Sequence, residues 1–102
     1  MLFEKSNFDQ NDVVTIKLSS GEEVLGKFVS QDMVSITLSK CLMIAMTPKG
    51  PAMAPILMTV DPDKDLTFNK NNVTVIVASD KEIAAQYTTQ TTGIAIPKGS
   101  MV

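Results

Sequence analysis

The chain has 102 residues, 44% of them hydrophobic and 20% charged, which is enough for one soluble domain with a single modest core. A net charge of −2 and a pI near 4.9 exclude a global basic field that would draw the protein onto nucleic acid or an anionic membrane. All nine cationic residues are lysines, and histidine and tryptophan are absent, so the arginine fork for phosphate and the commonest general base are both missing. We therefore expect neither an enzyme nor a cofactor.

In chain order, Met1–Lys5 lacks the apolar run of a signal peptide, and Phe3–Asp12 is polar apart from Phe3 and Phe8. Strand one is expected over Val13–Leu18, strand two over Glu23–Gln31, and a long strand three from near Met33 to Met46. Their apolar stripes recur with the period of two that puts alternate side chains on one face: Val14, Ile16, Leu18; Val24, Gly26, Phe28; Val34, Ile36, Leu38. Ser19-Ser20-Gly21-Glu22 reads as a tight hairpin. A glycine inside a strand marks a bend or a close backbone approach, so Gly26 is the place where this sheet curls.

Leu42, Ile44 and Met46 continue the parity of Leu38, while Cys41, Met43 and Ala45 make the opposite face apolar as well, so this end of strand three is expected to be covered on both sides. Cys41 is the sole cysteine and reads as a small buried hydrophobe. It permits no intrachain disulfide, and a reducing, cytoplasmic compartment fits. Thr47-Pro48-Lys49-Gly50-Pro51 is a turn. Strand four is expected over Ala54–Val60, followed by the acidic turn Asp61-Pro62-Asp63-Lys64-Asp65. Leu66–Phe68 either resumes strand four or forms a short extra strand, Asn71-Asn72 turns the chain, and Val73–Ala78 is strand five. Ser79 and Glu82 have the spacing of a capping box before a helix over Asp80–Thr91, with Ile83, Ala84 and Tyr87 on one face and Gly93 as a stop. The tail, Ile94–Val102, is expected to be extended or disordered.

Residues 14–38, with the order apolar-x-apolar-x-Leu, Gly21, Gly26 and Asp32 before an alternating strand, resemble the first motif of the Sm-like family, nearest its bacterial Hfq branch. Phe68-Asn69-Lys70-Asn71-Asn72-Val73 resembles the second motif. The resemblance implies a small, strongly bent five-stranded antiparallel barrel over residues 13–78, with residues 1–12 as an N-terminal segment that forms a short helix in this family. Residues 79–102 are then the C-terminal helix and tail.

It further implies a cyclic homo-oligomer in which strand four of one subunit pairs with strand five of the next, a heterologous contact that closes only for certain rotations. Around its pore, single-stranded RNA, with DNA as the alternative, meets Asp32, Met33, Val34 and Ser35 of the first loop and Asn69, Lys70, Asn71 and Asn72 of the second. Asp32 orients its neighbours, Lys70 supplies positive charge, and the asparagines hydrogen-bond to bases. The chain departs from the family where the first motif's asparagine and the second motif's arginine and glycine are replaced, and no aromatic residue stands at the stacking position. Two other readings stay open: a protein-interaction ring presenting Met43, Met46, Met53 and Met58, and a monomeric SH3-like or OB-like barrel.

Overall fold

The computed structural model describes residues 8–92. The expected tail and the Gly93 stop lie outside these, as do residues 1–7 of the N-terminal segment. Residues 8–12 form a turn rather than helix: Asp12 accepts the Asp9 N–H at 2.8 Å, and Phe8 packs on Phe28 with ring centroids 5.5 Å apart. The chain then runs β1 (Val13–Leu18), β2 (Glu23–Gln31), β3 (Ser35–Thr47), β4 (Gly50–Pro55), β5 (Leu66–Asn69), a 3-10 turn (Lys70–Asn72), β6 (Val73–Ala78) and α1 (Lys81–Thr92).

The sheet is antiparallel and six-stranded, where five strands were expected. Its order is β4-β3-β2-β1-β6, with β5 also on β3, and β4 and β6 stand at opposite ends unpaired with one another. The expected strand four is thus divided. β4 pairs with the far half of β3, Thr47 opposite Gly50 and Leu42 opposite Pro55, and β5 with its near half, Ser35 opposite Asn69 and Leu38 opposite Leu66. The strand begins at Gly50 rather than Ala54 because the Thr47–Gly50 hairpin closes immediately. Gly50 adopts a φ of +114°, and the Thr47 hydroxyl donates to the Gly50 carbonyl at 2.6 Å. Residues 56–65, read as strand up to Val60, are a loop.

Two irregularities bend the sheet. Along β2 and β3, Leu25 pairs with Leu42 but Lys27 pairs with Ser39, and Phe28 with Leu38 but Ser30 with Thr37. Each strand therefore holds one residue its partner does not match. The extra residue of β3 falls beside Lys40, whose φ of +51° is rare for a side chain of its length. This bulge reverses the expected parity. Beyond Ile36 and Leu38 the core face continues through Cys41 and Met43, while Leu42 and Ile44 turn to the other face and Met46 is 77% exposed. Gly26 lies where β3 crosses closest, and a Cβ there would stand 2.8 Å from Leu38 Cβ and 3.2 Å from Cys41 Sγ.

Val14, Ile16, Val24, Phe28, Ile36, Leu38 and Cys41 form the core, with Leu18, Leu66, Phe68, Val73 and Ile76 packed around it. Leu25 and Tyr87 are buried outside this cluster. Tyr87 has no exposed surface, and its hydroxyl donates to the Lys40 carbonyl at 2.6 Å. The helix is thereby fastened to the carbonyl that the bulge turns outward. The far half of β3, expected to be covered on both sides, is only partly buried: Leu42, Met43, Ile44 and Ala45 are half-buried and Met46 is exposed. Asp80, rather than Ser79, is the N-cap: its carboxylate accepts the Glu82 N–H at 3.0 Å. Ser79 instead shares a hydrogen bond with the Thr15 hydroxyl at 2.7 Å, so the N-cap moves one residue on and, with Ile83 at the third helical position, the expected capping box does not form.

Candidate nucleic-acid interface

The turn between β2 and β3 is built by Asp32. Its Oδ1 accepts the backbone N–H groups of Val34 at 2.9 Å and Ser35 at 2.8 Å, and the Ser35 hydroxyl at 3.2 Å, while its own N–H donates to the Ser35 carbonyl at 2.9 Å. A carboxylate satisfying adjacent donors in this way makes a local turn that competes with strand. For that reason β3 starts at Ser35, and Val34, read as the first residue of its core stripe, is instead 68% exposed. Hydrogen bonds from Val34 and then Ser35 hold the Asp32 carboxyl below its ordinary range. Met33, at the tip, is 93% exposed.

The second turn is built by Asn69, whose side-chain oxygen accepts the Asn71 N–H at 2.8 Å. The 3-10 turn closes with the Val73 N–H on the Lys70 carbonyl, and the Asn72 carbonyl accepts the Ser19 N–H at 2.7 Å. Asn69, Asn71 and Asn72 are exposed.

These two turns, remote in sequence, are neighbours. Ser35 stands opposite Asn69 in the β3–β5 ladder, and the Lys70 N–H donates to the Val34 carbonyl at 2.8 Å. The Lys70 ammonium reaches Gln31 Oε1 at 2.9 Å and the Asp32 carbonyl at 2.5 Å. All eight expected residues thus lie in one joined pair of loops. Gln31 is an addition to them; as a polar residue at a strand end, it carries no sequence signal that singles it out. Two of the three ammonium protons are directed at neutral oxygens within the loop pair, a geometry not contained in the expectation of a phosphate-binding lysine.

No family model and no curated protein matches the chain. Elsewhere, a groove of about 610 Å³ between α1 and the β3–β4 hairpin is lined by Ile44, Pro51, Met53 and Ile83 with Gln86 and Gln90. The four methionines read as one surface separate: Met43 packs on the core, Met53 lines this groove, and Met46 and Met58 are 77% and 89% exposed. In the acidic loop, Asp61 accepts the Asp63 N–H at 2.9 Å and Asp63 pairs with Lys40 at 3.2 Å, so these carboxylates shape and tether their own turn. No described helix is long and apolar enough to cross a membrane.

Proposed function

We propose that this chain is a non-catalytic Sm-like subunit that assembles into a homo-oligomeric ring and binds single-stranded nucleic acid, RNA in preference to DNA. The bound strand meets the paired β2–β3 and β5–β6 turns. The observation that carries this reading is the convergence of the two motif loops into one surface, fastened by Lys70 and crowned by the exposed Met33. In the ring the bent sheet curls into a small barrel, and weak sites repeated around a pore gain avidity.

The sheet edges support the assembly. β6 is an end strand with no charge or proline, and its Val75 and Val77 are 48% and 49% exposed, a combination that natural sheets avoid unless the edge is paired. At the other end, Pro51 and Pro55 have no N–H to offer, so β4 is a guarded edge. β5 has no proline, and the β6 of the next copy joins there.

The decisive test is fluorescence anisotropy of labelled oligo-U, oligo-A and oligo-dT against the purified protein at two salt concentrations, with a light-scattering mass. The expected result is a mass several times 11.0 kDa and tighter binding of the RNA strands. A large mass with no binding selects the second reading, a ring that holds protein partners, which the exposed Met46 and Met58 and the apolar groove favour. An 11.0 kDa particle removes the ring.

A further inference from the structure

We infer that Lys70 is a positioning residue, whose ammonium clasps the β2–β3 turn to the β5–β6 turn instead of meeting a phosphate. This rests on the nucleic-acid reading above and specifies what the site recognises. The Lys70 backbone N–H donates to the Val34 carbonyl, and its ammonium makes two further contacts with the opposing loop, to Gln31 Oε1 and to the Asp32 carbonyl. Hydrogen bonds from a charged donor are the strong kind, and these span the joint between two turns that are otherwise held by a ladder of four residue pairs. The Asp32 carboxylate is itself taken up by the Val34 and Ser35 N–H groups of its own turn. What the clasp holds out to a ligand is Met33 and Val34, polarizable and apolar, suited to the face of an unstacked base rather than to its phosphate.

A lysine that contacts phosphate and one that clasps a loop give opposite signatures. Losing a phosphate contact lowers the slope of log K against log salt by about one, whereas loosening a loop weakens binding at an unchanged slope. The test compares Lys70→Ala, Lys70→Arg and Gln31→Leu with the wild type, in two measurements. Amide hydrogen exchange of the free protein at Val34, Ser35 and Lys70 is expected to rise roughly tenfold in Lys70→Ala, the effect of losing a hydrogen bond from a charged donor. It rises in Gln31→Leu too, where the charge is retained. Oligo-U anisotropy is expected to weaken in both at the wild-type salt slope, with recovery in Lys70→Arg.

Unchanged exchange, or a slope reduced by about one in Lys70→Ala alone, overturns the inference. If the wild type binds no oligonucleotide, the nucleic-acid reading fails, and the exchange measurement still decides the clasp.

Discussion

Cys41 shows how burial sets the chemistry of a single residue. The thiol is 3% exposed, and desolvation pushes its pKa from 9.0 up to about 12, so it stays protonated and packs as a hydrophobe. Burial pushes the Tyr87 hydroxyl upward too, in keeping with its role as a donor to Lys40. A folded-state pKa above the unfolded one contributes stability that is complete below the unfolded value and lost as pH rises through the folded one. Urea midpoints measured from pH 8 to 11 should therefore be level up to about pH 9 and fall above it, and Cys41→Ala should delay the fall until the tyrosine titrates. A midpoint unchanged up to pH 11 contradicts this account.

Among the elements, the crossing of β2 and β3 governs the shape. Gly26 is needed for space rather than for backbone freedom, since the atoms nearest to an added methyl are Leu38 Cβ, set by its own backbone, and Cys41 Sγ. Gly26→Ala is expected to cost about 1–3 kcal/mol, the usual range for overpacking, read as a lower urea midpoint at unchanged slope. A loss within a few tenths of a kcal/mol would mean that β3 yields easily. The glycine was legible in the sequence because it interrupts an apolar stripe. The bulge was not: Lys40 interrupts the apolar parity between Leu38 and Leu42, but a single lysine in a strand does not reveal that a residue is skipped. For the same reason Leu42 and Ile44 were assigned to the core face, although Cys41 and Met43 occupy it. Tyr87 could be placed on a helical face from spacing, but its anchor, a carbonyl of the bulged strand, exists only once the sheet has formed.

At the scale of the whole molecule, three edges bound the sheet: the proline-guarded β4, the short β5, and the apolar β6. In the proposed ring, the half-exposed Val75 and Val77 of β6 would be covered by a neighbouring copy, whereas Ile76 packs on the chain's own core. Val75→Lys with Val77→Lys is therefore expected to reduce the light-scattering mass to 11.0 kDa while leaving the circular dichroism of a β-rich fold in place. An unchanged mass would show that β6 is not the assembling edge.

The sequence by itself determined what depends on neighbours a few residues apart: β1 and β2 from their period of two, the glycine hairpin after β1, the Thr47–Gly50 reversal, and the helix to within a residue at each end. It also marked both loops, because Asp and Asn build turns through their own side chains. Only the tertiary structure decided the parity of β3 beyond Lys40, the division of the expected fourth strand into β4 and β5, and the contact of Lys70 with Gln31 and Asp32. These depend on register between strands far apart in the chain, and a one-residue skip exchanges the two faces of a strand without altering its local pattern.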